Sequence, residues 1–485
     1  VVVLFLCAGI LTPKEMLEGF SNKGMITVAL LFLVSEGIRQ SGTLGQVIKK
    51  LLPQGKTSVF KAQLRILPSV AFISAFLNNT PVVVIFAPII KHWAKSVNLP
   101  ATKFLIPLSY VTILGGICTL IGTSTNLVVH GMILEAGFEG FSMFELGKVG
   151  IFIAIAGIIY IFLFSKRLLP DARPDTAVPD EEVEEGEKLH RVEAVLGARF
   201  PGINKKLKDF NFQRHYGAEV KEIKTRNGQR FVSNLEEVVL HEGDTLVVMA
   251  DDTFIPTWGE SSVFVLLTNG NEPDTTGKKK RWFALLLLVL MIVGATVGEL
   301  PITKEMFPDI KLDMFFFVSI TTIIMAWTNL FPARKYTKYI SWDILITIAC
   351  AFAISKAMVN SGVADSVAKF IIGLSDDYGP HVLLAMVFII TNLFTELITN
   401  NAAAALAFPL ALSISAQLGV SPTPFFVVIC MAASASFSTP IGYQTNLIVQ
   451  GIGNYKFTDF VRIGLPLNII TFLISIILIP LIWNF

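Results

Sequence analysis

The sequence predicts a polytopic α-helical membrane protein made of two inverted repeats, with a small cytoplasmic α+β domain between them. Three observations support this fold class: the composition, two polar stretches inside apolar runs, and a near-constant spacing between matching residues of the two halves. The chain is 53% hydrophobic and 16% charged, and its mean hydropathy is +0.64. Such a composition is typical of chains that cross the lipid bilayer several times.

Other functional classes receive little support. No HExxH, GxSxG or Walker pattern is present, so no enzyme is expected. The four cysteines lack the spacing of metal ligands, which makes them small core residues. The net charge of +2 identifies no partner, and no nucleic-acid partner is expected.

Two apolar runs are interrupted at their middle by polar side chains. Residues 60–93 contain Phe-Leu-Asn-Asn-Thr-Pro at 76–81, and residues 382–415 contain Leu-Ile-Thr-Asn-Asn-Ala at 397–402. An unpaired polar group in hydrocarbon is costly, so something polar must bind these amides. Each run is predicted to be a re-entrant hairpin with its polar tip inside the protein.

Two further apolar runs are predicted to be discontinuous helices. Residues 104–134 are interrupted at 122–126, which read Gly-Thr-Ser-Thr-Asn, and residues 425–450 at 442–446, which read Gly-Tyr-Gln-Thr-Asn. Unwound backbone at membrane depth is tolerated where it lines a binding site.

The two halves match at a nearly constant offset. Residues 121–131 and 441–451 share Ile-Gly-x-x-Thr-Asn-Leu-x-Val-x-Gly, and residues 41–42 match 361–362, both at 320 positions. Asn79 matches Asn400 at 321. Chance similarity among apolar segments would not keep this register. The apolar segment 282–297 has no counterpart, so a first span upstream of Val1 is expected to be missing.

Composition divides the chain into three parts: repeat 1 (1–169), a polar module (170–281) and repeat 2 (282–485). The module holds about half of the charged residues in under a quarter of the length. After an acidic linker at 180–187, a folded core of about 190–257 is expected. Strands are predicted at 192–196, 219–225, 238–240 and 245–250, a basic helix at 204–210 and a hairpin turn at 227–228.

Charge asymmetry orients the two halves. Lysine and arginine lie at both ends of the first hairpin, whereas the second has Asp376 and Asp377 at one end and no basic residue at 415–424. By the positive-inside rule, the first hairpin enters from the cytoplasm and the second from outside, so the repeats are inverted. Residues 170–281 are then cytoplasmic, and the protein is expected in the plasma or inner membrane.

The polar tips suit a site for cations and an anion. Asn and Thr oxygens are ligands of hard cations, and helix N-termini favour anions. Ser74 and Thr395, one turn before the tips, are additional cation ligands. The residues predicted to bind substrate are Asn78, Asn79, Thr80, Thr123, Thr125, Asn400, Asn401, Gln444 and Thr445.

Structural roles compete with these assignments. Asn can join membrane helices by hydrogen bonds, and Ser or Thr can bond back to its own helix. Glu396, the acid beside the second tip, is either a proton carrier or a structural partner, and the structural role is favoured.

These motifs resemble the divalent anion/sodium symporter family of the ion-transporter superfamily. Its hallmark is Ser-Asn-Thr at each tip, matched here by Asn-Asn-Thr at 78–80 and Thr-Asn-Asn at 399–401, whereas the prolines of the family's Gly-Thr-Pro-Pro-Asn loops are absent. The resemblance implies a homodimer that moves its hairpin-bearing domain like an elevator. It also implies two sodium sites, whose residues are Ser74, Asn78, Asn79 and Gly122 in one and Thr395, Thr399, Asn400 and Gly442 in the other.

The polar module is similar to the C-terminal domain of TrkA-type potassium-channel regulators. The similarity lies in residues 200–212, 216–217 and 241–249. It implies dimerisation and a small-molecule regulator, and membrane relatives with such inserts often resemble sulfate permeases. They commonly carry two copies, and residues 262–267 are interpreted as the remnant of a second.

The predicted function is sodium-coupled symport of a small divalent anion, with sulfate first. Many neutral donors converging from both halves suit a compact tetrahedral oxyanion, with sodium supplying the neutralising charge. A sodium/dicarboxylate symporter for succinate or citrate is the alternative. A sodium/proton antiporter would need a relay of acids or His residues inside the membrane, and only Glu396 beside the tips meets that requirement. A regulated cation channel would need a Gly-rich filter, and the sequence contains none.

Overall fold

A computed structural model describes residues 1–171, 189–197, 199–225, 229–251, 254–258, 263–268, 278–307, 310–374 and 379–485. The first 171 residues form nine α-helices: α1 (Val2–Cys7), α2 (Pro13–Glu18), α3 (Lys23–Gln40), α4 (Thr43–Leu51), α5 (Val59–Ser74), α6 (Asn79–Ser96), α7 (Leu105–Gly116), α8 (Ser124–Glu135) and α9 (Gly147–Leu168).

Local capping explains where the first helices begin and end. The Thr12 hydroxyl and the Glu15 carboxylate cap α2 reciprocally, and the Asn22 side chain accepts hydrogen bonds from the first N–H groups of α3. Such caps stabilise a helix by about 1 kcal/mol. The predicted break at 41–42 is present because Gly42 has φ +70°, which ends α3 before α4 starts.

The C-terminal part is again helical. Its elements are α12 (Lys278–Gly298), α13 (Pro301–Met306), α14 (Met314–Trp327), α15 (Tyr336–Tyr339), α16 (Trp342–Asn360), α17 (Val363–Leu374), α18 (Gly379–Leu397), α19 (Asn400–Leu418), α20 (Thr423–Ser434), α21 (Gln444–Gly453) and α22 (Phe457–Ile482). Among the described residues, six helices are long and apolar enough to cross a membrane, and a bent pair would make a seventh. The prediction of a helical protein with several apolar spans is confirmed.

The polar module is an antiparallel sheet with short helices. Its elements are β1 (His190–Leu196), α10 (Phe212–Tyr216), β2 (Glu219–Lys224), β3 (Arg230–Phe231), β4 (Thr245–Ala250), α11 (Phe254–Trp258) and β5 (Phe264–Thr268). The strand order is β3-β2-β4-β1-β5. Phe200, Phe212, Tyr216 and Phe264 pack against one another in a core separate from that of the long helices.

Parts of the module differ from the prediction. Residues 204–210 form no α-helix but a turn whose Lys206 bridges Val239, and the 238–240 segment contributes only that isolated bridge. The strand β5, interpreted from sequence as a remnant of a second copy, pairs with β1 and extends the sheet beyond residue 257. The predicted linker at 180–187 and turn at 227–228 lie outside the described residues.

Close helix packing holds the interrupted segments together. A methyl group on Gly115 of α7 would overlap the Ala71 carbonyl of α5, and one on Gly464 of α22 would overlap the Phe437 carbonyl. Glycine is therefore required where these helices and loops touch. Contacts of α6 with α21 and of α8 with α19 join the two halves of the chain.

The sheet module rests on these helices. Lys91 of α6 forms an ion pair of 2.9 Å with Glu193 of β1. Burial would raise the pKa of Glu193, but Lys91 and Lys224 override it and lower that pKa to about 2. A methyl group on Gly451 of α21 would lie 2.6 Å from the Thr245 hydroxyl of β4. The module therefore contacts both α6 and α21, which begin at helix breaks.

Candidate functional site

Four helix breaks fall at the predicted polar stretches. We name residues 75–78 between α5 and α6 the first tip, 398–399 between α18 and α19 the second tip, 117–123 between α7 and α8 the first loop, and 435–443 between α20 and α21 the second loop. Pro81 lies in the first turn of α6, where its missing N–H costs nothing, so the helix can begin at Asn79.

Each tip is attached to the loop of its own half by matching hydrogen bonds. The Thr119 hydroxyl donates to the Ala75 carbonyl and accepts from the Gly122 N–H at 3.1 Å. The equivalent Thr439 hydroxyl donates to the Glu396 carbonyl at 3.1 Å and lies 3.4 Å from the Gly442 nitrogen. The same bond pattern therefore recurs in both halves, as the sequence offset of 320–321 leads one to expect.

Two buried amides fix the helices that follow the loops. The Asn126 side chain donates to the Thr119 carbonyl at 2.9 Å, and the Asn446 side chain donates to the Thr439 carbonyl at 3.1 Å. The Ser109 hydroxyl of α7 donates to the side-chain oxygen of Asn446 at 2.7 Å. These two Asn residues therefore attach the start of α8 and of α21 to the loop that precedes each helix.

The helix that follows each tip begins with side chains that contact the other half. Asn79 donates to the Tyr443 hydroxyl at 2.8 Å, and the hydroxyl of Thr80 lies 3.3 Å from the Gln444 side-chain carbonyl. In the opposite direction, Asn400 donates to the Thr125 hydroxyl at 2.8 Å.

Asn401 joins the same group. Its side-chain carbonyl accepts from Ser124 at 3.1 Å and lies 3.4 Å from the Thr125 hydroxyl. Together with the bonds of Asn79, Thr80 and Asn400, these contacts link predicted substrate residues of both halves into one polar cluster.

Tyr443 stands at the centre of this cluster, and sequence reasoning did not single it out. Its hydroxyl bonds Asn79 and lies 2.8 Å from the Thr123 hydroxyl, and Asn400 also interacts with it. The side chain is only 6% exposed. The repeat offset could have indicated it, because Tyr443 is the position equivalent to Thr123, which was predicted to bind substrate.

The first predicted sodium site is assembled around Asn79. Ser74 donates to the Asn79 side-chain carbonyl at 2.8 Å. A methyl group on Gly116 would lie 2.7 Å from that carbonyl oxygen and 3.1 Å from the Gly122 carbonyl oxygen. The Asn79 and Gly122 oxygens thus lie close to Gly116, where an added side chain would crowd them, and Ser74 bonds the Asn79 oxygen.

The second predicted site is assembled only in part. A methyl group on Gly442 would overlap both the Thr395 carbonyl and the Ser436 hydroxyl. The Thr395 hydroxyl itself donates to the Ala433 carbonyl at 2.7 Å. Thr395 and Gly442 are therefore neighbours, whereas the Asn400 amide is directed toward Thr125 of the other half.

Three predicted residues lie away from the cluster. Asn78 lines a small cleft between the first tip and α3, beside Ser35 and Ser124. Thr399 has an exposed side chain, and Thr445 is buried against Ser109 of α7 at 2.9 Å. Among the described residues, none of these three side chains bonds Asn79, Asn400 or Tyr443.

Helix N-termini converge on the cluster. Asn79, Ser124, Asn400 and Gln444 each begin a helix of at least ten residues, and none of the four residues before them caps its own helix with its side chain. The first turn of a helix leaves N–H groups unpaired and carries about half a positive charge. This arrangement is suited to an anion.

The comparisons with known proteins match transporters. The citrate transporter (CitMHS) family model matches residues 1–419 and 310–484. An uncharacterized transporter of Synechocystis sp. is 30% identical over 100% of this chain and 93% of its own. In Chlamydomonas reinhardtii, a probable sodium/sulfate cotransporter 3 is 23% identical over 95% of this chain and 82% of its own, and sodium/sulfate cotransporter 2 is 31% identical over 58% and 31%.

Proposed function

We propose that the chain, which belongs to the citrate transporter (CitMHS) family, couples sodium entry to the uptake of a small divalent anion, with sulfate as the first candidate. It is a multi-pass transporter of the divalent anion/sodium symporter kind, not an enzyme. The observation that carries the proposal is the convergence of four uncapped helix N-termini on one polar cluster. Several partial positive charges aimed at one place stabilise an anion without any basic side chain.

Sodium is the co-transported ion in this proposal. The Ser74, Asn79 and Gly122 oxygens offer one site, and the Thr395 carbonyl beside Gly442, together with the Ser436 hydroxyl, offers the second. Neutral hydroxyl, amide and carbonyl oxygens bind a hard cation weakly enough to release it, as a transport cycle requires.

The choice of sulfate over a dicarboxylate is supported by Tyr443. Its phenol occupies the middle of the cluster, where it bonds Asn79 and Thr123 of the first half and interacts with Asn400 of the second half. The polar groups of both halves thus gather around one compact centre, whereas a dicarboxylate would need two separate ones. Three relatives are named sodium/sulfate cotransporters. A citrate or succinate substrate is the second candidate, because the family description names citrate.

The wider mechanism follows from the same proposal. Residues 1–169 and 282–485 act as inverted repeats whose two tips are re-entrant hairpins, and the site lies between them near the membrane midplane. The hairpin-bearing domain moves as an elevator in a homodimer. Residues 170–281 form a cytoplasmic TrkA-C-like domain that carries a regulatory ligand site.

Uptake into proteoliposomes tests the proposal. Labelled sulfate should accumulate only with an inward sodium gradient, and unlabelled sulfate or thiosulfate should compete whereas succinate and citrate should not. Strong inhibition by succinate alone would assign the protein to dicarboxylates, and uptake indifferent to sodium would refute the coupling.

A further inference from the structure

Gly131 of α8 and Gly451 of α21 are equivalent positions of the two halves, at the offset of 320. In the first half, the start of α3 lies on this position. A methyl group added to Gly24 of α3 would lie 2.9 Å from the Gly131 Cα atom and 2.8 Å from the Leu127 carbonyl oxygen. The Asn22 side chain, which caps α3, donates to the Gly131 carbonyl at 3.3 Å. The start of α3 therefore rests directly on the backbone of α8.

In the second half, the sheet module lies on the equivalent position. A methyl group added to Gly451 would lie 2.6 Å from the Thr245 hydroxyl and 3.3 Å from the Gly243 carbonyl oxygen, and one added to Gly243 would lie 2.5 Å from the Leu447 side chain. Leu447 is itself the counterpart of Leu127. Gly243 has φ +84°, so a tight turn brings the module backbone onto α21. This turn and the start of α3 thus cover matching surfaces of two equivalent helices.

The counterpart of α3 lies elsewhere. The Ile-Thr pair at 26–27 of α3 matches the pair at 346–347 of α16 at the same offset, so α16 is the helix equivalent to α3. It packs against α19, the counterpart of α6, whereas α3 lies more extensively against α8 than against α6. The first residue of α16, Trp342, is 42% exposed. The three atoms nearest to a methyl group on Gly451 all belong to the module.

This asymmetry gives the module a place in the transport cycle, an inference that rests on the proposed function. Two inverted repeats that differ in arrangement can exchange their arrangements when the site changes sides. After such an exchange, α16 would lie against α21 as α3 now lies against α8. The 243–245 turn of the module already occupies that surface, and two elements of a close-packed protein cannot fill the same space.

We propose that the sheet module is an autoinhibitory element, which holds the protein in the access state of this structure until it leaves α21. The ion pair of Lys91 with Glu193 at 2.9 Å attaches the module to α6, and Lys224 of β2 lies 3.4 Å from the same carboxylate. The helices α6 and α21 pack against each other, and both begin at the polar cluster. Release of the module from this helix pair then sets the rate at which the site changes sides.

Charge reversal at the contact tests the proposal in the full chain. In Lys91→Glu and in Glu193→Lys, like charges face each other across the contact and repel the module from α6. The maximal rate of sodium-driven sulfate uptake into proteoliposomes should rise about threefold or more in both variants. Glu237→Lys is the matched control, because Glu237 pairs with Lys206 and Lys208 inside the module, and it should keep the wild-type rate.

A labelling measurement separates this inference from the transport proposal. A cysteine at the start of α16, introduced by Ser341→Cys, should react more slowly with a water-soluble maleimide when α21 covers it. Its reaction should therefore slow about threefold or more when Lys91→Glu is added, and stay unchanged when Glu237→Lys is added. The chain without the new cysteine gives the background.

The two measurements can fail independently. If uptake depends on sodium and sulfate as proposed but both charge reversals leave rate and labelling unchanged, the autoinhibitory contact is refuted and the function stands. If labelling changes as expected while no variant takes up sulfate, the function fails and the contact stands. Slower uptake in both charge reversals would show that the module supports transport, and would also overturn the inference.

Discussion

The side-chain amide of Asn79 donates a hydrogen bond of 2.8 Å to the hydroxyl of Tyr443, 364 positions further along the chain. Asn79 begins the helix after the first tip, and Tyr443 ends the second loop. The phenol also meets Thr123 at 2.8 Å. This contact joins the two halves at the point where the helix N-termini converge, so several predictions depend on it.

Removal of the phenol oxygen should impair transport. In Tyr443→Phe, the Asn79 amide loses a buried partner, and an unsatisfied buried donor costs about 1–3 kcal/mol. The apparent affinity for sulfate should fall by about ten- to a hundredfold in uptake assays, since each 1.4 kcal/mol is a factor of about ten.

Tyr160→Phe is the control for that change. It removes a hydroxyl from α9 that, among the described residues, bonds the Ile463 carbonyl alone, at 3.1 Å. Equal loss of affinity in both variants would show that the effect is one of general packing rather than of the site.

Asn79→Ala should abolish sodium-driven uptake. The change removes a side-chain oxygen that bonds Ser74 and an amide that bonds Tyr443. Both the binding of the cation and the contact between the two halves should therefore weaken. A loss of about two decades in sodium affinity is expected for a charge-assisted ligand in a dry site.

The neighbouring Asn78 should be far less sensitive. Asn78→Ala alters a side chain that lines the cleft toward α3, so its sodium dependence should stay close to that of the wild type. Uptake measured over a range of sodium concentrations compares the two variants. A loss of sodium-driven uptake in Asn78→Ala equal to that in Asn79→Ala would contradict the geometry.

Gly442→Ala should damage the proposed second sodium site. The added methyl group would overlap the Thr395 carbonyl and the Ser436 hydroxyl, and overpacking of this kind costs about 1–3 kcal/mol. The sodium concentration for half-maximal uptake should rise by tenfold or more. Gly373→Ala, where an added methyl meets nothing within 4 Å, should leave uptake and thermal stability unchanged or slightly improved.

The contact between the sheet module and α6 should depend on acid pH. Lys91 and Lys224 lower the pKa of Glu193 from 4.5 to about 2, so the ion pair stabilises the folded state fully above pH 4.5. That contribution is lost as the pH falls toward 2, because the carboxylate becomes protonated.

Hydrogen exchange measures this contact. Amides of β1 and β4 should exchange faster in Glu193→Gln than in the wild type at neutral pH, and Lys91→Gln should act in the same direction. Identical exchange at neutral pH in wild type and both variants would show that the pair does not hold the module on α6.

The sequence by itself determined the helical character, the positions of the four helix breaks and most strand positions of the module. These features are local: apolar runs long enough for spans, polar residues that interrupt them, and Gly42 with its positive φ. The offset between the halves led to the choice of Ser74, Asn79 and Thr395, and the family resemblance added Gly122 and Gly442. The structure brings Ser74 close to Asn79 and Thr395 close to Gly442.

Only the tertiary structure decided which predicted side chains meet. Asn78 and Asn79 are adjacent in sequence, yet one faces a cleft and the other bonds Tyr443, because successive residues at a helix start point in different directions. The same holds for Gly116 of α7, which lies against Asn79 of α6. Sequence periodicity describes each helix alone, whereas the site is made by contacts between helices.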